Sequence, residues 1–163
     1  SRIASKSNSY IVSYDIDYNA VNRNYSKVKE NKEKNLLPLL LDLTNPPSSI
    51  GFAEQERKGI TARGPVKCIL LLAMIHHICI SNNVPFEHVS SWLSSICKYL
   101  IIEFVPKTDS QVEKLLKTRR DIFNDYDENT FEEIFSKYFK IIQKEKIIDS
   151  ERIIYLMESK NEK

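Results

Sequence analysis

Apolar positions along the chain fall into two rhythms. Tyr10-Ile11-Val12-Ser13-Tyr14, Leu36 to Leu41, Val66 to Ile75 and Leu100-Ile101-Ile102 are near-continuous apolar runs. Strands of a parallel sheet read this way when helices cover both of their faces. Between them, Ala20, Val21, Tyr25 and Val28 recur at helical spacing, as do Phe86, Val89, Leu93 and Ile96 with Trp92. Asn82-Asn83 with Pro85 marks the start of that second helix, because proline is tolerated in a first turn. Ser110-x-x-Glu113 and Thr130-x-x-Glu133 read as capping boxes ahead of two further helical stripes. Phe139 to Gln143 and Arg152 to Met157, joined by Lys144 to Glu151, suit an antiparallel hairpin. The pattern predicts an α/β fold with a mostly parallel sheet, helices over both faces and a C-terminal antiparallel hairpin.

Three further expectations concern organisation. Val66 to Ile75 is the most apolar run and is predicted to be a central strand. Asn45 to Gly64 is the one long irregular stretch, opened by Asn45-Pro46-Pro47 and containing a short polar helix over about Ala53 to Thr61. Ser1 to Lys6 reads as the tail of a helix with no upstream cap, and Ser7-Asn8-Ser9 as the turn into the first strand. The expectation is a single domain over 1–163, entered in the middle of an element.

Bulk properties narrow the class. With 42% hydrophobic and 28% charged residues the chain has ordinary globular usage. Its 24 basic against 22 acidic residues leave a net charge of +2, and no basic block suggests phosphate-driven nucleic-acid binding. Cys68, Cys79 and Cys97 lack metal-type spacing, so they read as reduced, buried thiols and no metal is expected. Cys68 to Ile80, the longest apolar stretch, is too short to span a bilayer, and the polar opening is no signal peptide. The predicted location is cytoplasmic.

The candidate chemistry sits at the ends of the strands. Asp15 follows the first, Asp42 with Leu43 the second, and His76-His77 the third, while Glu103 interrupts Ile101-Ile102-Glu103-Phe104-Val105. Open α/β sheets bind ligands beyond the carboxyl ends of their strands. There, a carboxylate at Asp15 can accept from both hydroxyls of a ribose, or it can cap a helix. Asp42 can meet an adenine amino group, or form an Asx-type turn into Thr44-Asn45-Pro46. A histidine at 76 or 77 can act as a base, or remain a hydrogen-bonded core residue. Glu103 must be either solvated at a strand end or paired. Arg119, Arg120, Asp121, Asp125 and Tyr126 form a polar cluster that either lines a pocket or makes an ordinary loop.

Taken together, these segments resemble the class I S-adenosylmethionine-dependent methyltransferases. The resemblance is carried by Ile11 to Asp17 with Asn19-Ala20-Val21, by Leu39-Leu40-Leu41-Asp42-Leu43, by Leu71 to His77 and by Leu100 to Phe104. They are similar to that family's second to fifth strands, and the closing hairpin to its sixth and seventh. Asp42-Leu43-x-Asn45-Pro46, Arg63-Gly64-Pro65, Ile75-His76-His77 and Ile102 to Lys107 further resemble a bacterial methyltransferase-like group, some members of which carry a nodulation-protein label. The resemblance implies S-adenosylmethionine as cofactor. It places Asp15 on the ribose, Ile16 against the adenine, Asp42 with Leu43 at the adenine ring, and Met74, Ile75 and His76 near the methionine part. It makes His76 or His77 the candidate catalytic base and implies a small-molecule or protein methyl acceptor.

One departure stands out. The family's first strand and glycine-rich turn have no counterpart among three glycines at 51, 59 and 64. The chain is therefore expected to be an N-terminally truncated domain, to bind cofactor weakly by itself and to self-associate through the resulting gap in the sheet. Two other readings compete. One is a non-catalytic methyltransferase-like interaction domain. The other is a haloacid dehalogenase-type phosphatase, suggested by Asp15-Ile16-Asp17.

Overall fold

The computed structural model describes residues 1–6 and 9–161, and the predicted Ser7-Asn8 turn lies outside them. Contacts divide the chain into two compact units, Ser1–Pro46 and Pro47–Lys163.

The first unit holds helix α1 (Arg2–Ser5), strand β1 (Ile11–Asp15), helix α2 (Tyr18–Glu30) and strand β2 (Leu36–Leu40). β1 and β2 pair in parallel, Ile11 opposite Leu36 and Asp15 opposite Leu40. Parallel neighbours need a crossover, and α2 supplies it. Asp17 caps α2 by accepting from the Asn19 amide at 2.8 Å, which satisfies one of the helix's orphan donors. Arg2 of α1 reaches Glu33 at 2.8 Å beyond the far end of α2. Val28 and Leu36 are buried, whereas Val12, Tyr14 and Leu39 stay exposed. Strand side chains alternate between faces, and Val12 and Tyr14 share one. That face of the pair, expected to lie under helices, is open among the described residues.

The second unit carries strand β3 (Val66–Leu71), helix α3 (Phe86–Ile96), strand β4 (Cys97–Phe104), helices α4 (Ser110–Leu116) and α5 (Glu128–Tyr138), and strands β5 (Phe139–Lys146) and β6 (Ile153–Ser159). Its four strands run in the order β3-β4-β6-β5. β3 and β4 are parallel, and β6 is antiparallel to both β4 and β5. The predicted closing hairpin is present. Alternate residues of β4, Leu100, Ile102 and Phe104, face the core with Tyr155 and Met157 of β6. Helices α3 and α5 supply Phe86, Val89, Leu93, Phe131 and Phe135. Phe131 sits at the centre of this aromatic cluster, 4.3 Å from Phe135, 5.1 Å from Phe104 and 5.2 Å from Tyr155 between ring centroids.

Several expectations are corrected. Val66 to Ile75 is no central strand. β3 stops at Leu71 and lies at an edge of its sheet, with Val66, Leu70 and Leu72 exposed. The run breaks because Ala73 takes a left-handed backbone (φ 52) and a helical turn follows, with its π-helical part over His77–Ser81. Ala53 to Thr61 is not a helix. An Ile50–Arg57 bridge encloses a 3₁₀ turn, Phe52–Glu54, and a second 3₁₀ turn, Thr61–Arg63, follows it. Ser110 and Thr130 do not cap their helices. Asp109 and Asp127 do so, through the Gln111 and Thr130 amides at 2.9 and 3.0 Å. A carboxylate one or three residues upstream takes the position because it is the stronger acceptor. Cys79 and Cys97 are buried as expected, but Cys68 is exposed on the edge strand.

Candidate functional site

In the first unit the two acidic strand ends come out side by side. The Leu41 amide donates to the Asp15 carbonyl at 3.0 Å, extending the parallel ladder one step past β2. Asp42 therefore leaves its strand two residues beyond the partner of Asp15, at the same edge of the pair. Asp15 is exposed, and its Oδ1 accepts from the Asp17 amide at 2.9 Å. Among the described residues no hydrogen bond engages Oδ2, so that oxygen is available to a ligand hydroxyl. Ile16 beside it is 67% exposed, an unusual setting for an isoleucine.

Asp42 is more committed. Its Oδ1 accepts both the amide and the hydroxyl of Thr44, at 2.8 and 2.7 Å, which is the predicted Asx-type turn. Those hydrogen bonds, the hydroxyl first, hold its carboxyl below the usual range. Leu43 is half-buried in the same turn.

In the second unit, His76 and His77 are not at a strand end. They lie in the helical turn after β3, their rings 4.2 Å apart and tilted. Ile75 is fully buried, Met74 half-buried and His77 exposed. His76 is 2% exposed, and its Nδ1 is buried with no hydrogen-bond partner among the described residues. Burial above all, with the neighbouring His77 and Arg152, lowers its pKa to about 4. It is neutral at pH 7.

A network that sequence reasoning missed anchors this turn. Glu103 is 6% exposed, and its Oε2 accepts from the Ala73 amide at 2.8 Å. Its Oε1 accepts from Arg152 Nη1 at 3.1 Å. Arg152 also grips Asp109 with Nε at 2.7 Å and Nη2 at 3.2 Å. The fork-to-carboxylate pairing raises the guanidinium pKa and lowers that of Asp109. Of the two fates predicted for Glu103, pairing is the one realised. A carboxylate inside an apolar strand requires such a partner. That signal was in the sequence, but nothing there pointed to Arg152, forty-nine residues on.

The polar cluster at 119–126 resolves into braces. Arg119 donates to the carbonyls of Ile80 and Ser81, the latter at 3.2 Å, closing the end of the π-helical turn. Asp121 pairs with Lys107 at 2.9 Å. The buried Tyr126 hydroxyl donates to the Val105 carbonyl at 2.9 Å. Among the described residues no group of acids, histidines and cysteines could hold a metal ion. No helix there is long and apolar enough to cross a membrane.

Comparison with known proteins adds the fold class. No family model matches the chain. It is 37% identical over 147 residues to the nodulation protein NoeA of Rhizobium meliloti (strain 1021), covering 90% of this chain. The chain spans 31% of that relative's length. Among solved structures it superposes on WbdD with a TM-score of 0.63 at 15% identity, over 96% of this chain and 32% of that one. WbdD is described as a bifunctional kinase-methyltransferase. The PH0226 protein of Pyrococcus horikoshii OT3 gives 0.58 at 12% identity, over 92% of this chain and 71% of that one. The 16S rRNA methylase ArmA gives 0.51 at 16% identity, over 91% and 61%. The chain has a Rossmann-like α/β fold similar to that of these methyltransferases, with mixed strands: the parallel pairs β1–β2 and β3–β4, and a C-terminal hairpin antiparallel to β4.

Proposed function

We propose that the chain is part of an S-adenosylmethionine-dependent methyltransferase whose acceptor is a small molecule or a protein. The observation that carries this reading is the pair of acidic strand ends, Asp15 and Asp42, at one edge of a parallel strand pair, one with an uncommitted oxygen. Asp15 fits a ribose diol, since a carboxylate oxygen accepts from a hydroxyl without a competing partner. Ile16 offers an exposed apolar surface suited to a flat ring. Asp42 and Leu43 are assigned to the adenine edge; the assignment of Met74, Ile75 and His76 to the methionine part comes from the family resemblance alone, and Ile75 and His76 are buried.

The cofactor supplies a methyl group on a sulfonium, which reacts by in-line displacement. This chain's residues then hold the nucleoside and dispose of the acceptor's proton. Of the two histidines, we assign proton acceptance to His77. It is exposed, whereas His76, with a pKa of about 4, is a poor base at neutral pH. The phosphatase alternative gains nothing from the structure, where Asp17 is occupied as the cap of α2.

Isothermal titration of the intact protein with S-adenosylmethionine and its demethylated product tests the reading. Asp15→Ala is expected to weaken binding by about 1–3 kcal/mol, the scale of a lost charge-assisted hydrogen bond. Absence of binding by the wild-type protein would favour the non-catalytic interaction domain, and unchanged affinity in the variant would remove Asp15 from the site.

A further inference from the structure

We propose that a cleft at the amino-terminal ends of β3 and β4 binds a phosphate group, free or carried by a small organic ester, between the ammonium groups of Lys67 and Lys98. The site lies wholly within the second unit and stands apart from the cofactor reading above.

The cleft has a volume of about 550 Å³ and opens where β3 and β4 begin and β6 ends. It is lined by Pro65 and Val66, by the two lysines and by residues 159–161, none of them acidic. Strand register brings the lysines together. Val66 stands opposite Cys97 and Cys68 opposite Tyr99, so Lys67 and Lys98 are neighbours across the parallel ladder. Residues opposed in this way share a face on strands about 4.8 Å apart, and two flexible four-carbon stems can bring both charges to one anion.

Both lysines are exposed, and none of the ion pairs among the described residues involves either. Like charges set opposite one another repel. Lys98 Nζ lies 5.3 Å from the Tyr99 ring centroid, a contact that supplies no counter-charge. A lysine on an edge strand discourages pairing with another chain, which accounts for Lys67. It does not account for Lys98, whose strand has neighbours on both sides. An anion between the two relieves the repulsion. The other polar groups of the cleft are already engaged. Ser159 Oγ donates to the Ser94 carbonyl at 3.0 Å, and Asn161 Nδ2 donates to the Ser94 carbonyl and hydroxyl at 3.3 and 3.1 Å. Lys160 Nζ donates to the Ser136 carbonyl in the last turn of α5. These bonds hold the 159–161 segment to α3 and α5 and leave Lys67 and Lys98 as the uncommitted cations. A phosphate's two negative charges match them, and the exposed Val66 offers apolar surface to the organic part of an ester.

Isothermal titration of the intact protein with inorganic phosphate and with phenyl phosphate, at low ionic strength, tests the site. Both are expected to bind, and to bind more weakly as salt rises to about 0.15 M, where the screening length is about 8 Å. Tighter binding of phenyl phosphate assigns the site to esters, and equal binding assigns it to free phosphate. Lys67→Gln and Lys98→Gln should each weaken binding by about fivefold, the weight of one ammonium–phosphate contact at a surface. Lys140→Gln, at an exposed lysine of β5 outside the cleft, should leave it unchanged. Neither cleft variant should melt below wild type without phosphate, because each removes a like-charge contact. No binding by the wild-type protein at low ionic strength, unchanged affinity in both cleft variants, an equal loss in Lys140→Gln, or a lower melting temperature in both cleft variants would overturn the proposal.

Discussion

His76 shows how a single side chain couples stability to pH. The unfolded chain takes up a proton near pH 6.5, which the folded chain refuses until about pH 4. The stabilisation is therefore complete above about 6.5, declines as pH falls through that interval, and changes no further below about 4. The total is on the order of 3 kcal/mol. Chemical denaturation between pH 4 and 7 should show this decline, and His76→Leu should flatten it; an unchanged slope would mean that other groups set the pH dependence. At this scale the sequence was a partial guide. Asp15 and Asp42 were recognisable because strand ends expose their side chains to the rim. The partner of Glu103 was not recognisable, because a buried carboxylate announces that it needs a cation without saying which.

Elements whose interactions are local were the legible ones. β1, α2, β2, α3 and the closing hairpin follow directly from apolar period and turn chemistry. The failures came where a short contact across the chain overrode the local pattern. The 45–64 segment is an example, since its packing depends on Gly59. A Cβ there would meet the Ser48 carbonyl carbon and the Ser49 nitrogen at 2.7 Å, both backbone atoms that have little room to yield. Trp92 Nε1 further ties the segment to α3 through the Thr61 hydroxyl at 3.0 Å. Gly59→Ala should cost about 1–3 kcal/mol, the scale of forced overpacking. A thermal melt unchanged within error would show that the segment adapts. Helix α5 offers a milder case. Asp127→Ala removes its cap and should cost about 0.5–2 kcal/mol, readable in the same melt.

For the molecule as a whole, the notable property is apolar surface on strands. Val66, Leu70 and Leu72 on and beyond β3 are exposed, as are Val12 and Tyr14 on β1. An edge strand with such a surface is a template for pairing with another chain. We therefore expect concentration-dependent association of this chain, measured by light scattering, and its reduction in Leu70→Lys, which places a charge on the edge. A monodisperse monomer at all concentrations would contradict that expectation. The resemblance likened the runs to successive strands of one family sheet but gave no order; the order β3-β4-β6-β5 and the parallel β1–β2 pair come from the structure. Hydropathy alone misplaced β3 at the centre, because an edge strand this apolar looks the same in sequence as a buried one.

The central claim is that the Asp15 carboxylate receives the hydroxyls of a nucleoside's ribose. A thermodynamic cycle on the intact protein tests it most directly, using wild type and Asp15→Ala against S-adenosylhomocysteine and its 2′,3′-dideoxy analogue. If the claim holds, removing the carboxylate and removing the hydroxyls each weaken binding, and the variant binds both ligands alike. If Asp15→Ala still distinguishes the two ligands as fully as wild type does, the hydroxyls are held elsewhere and the account is wrong.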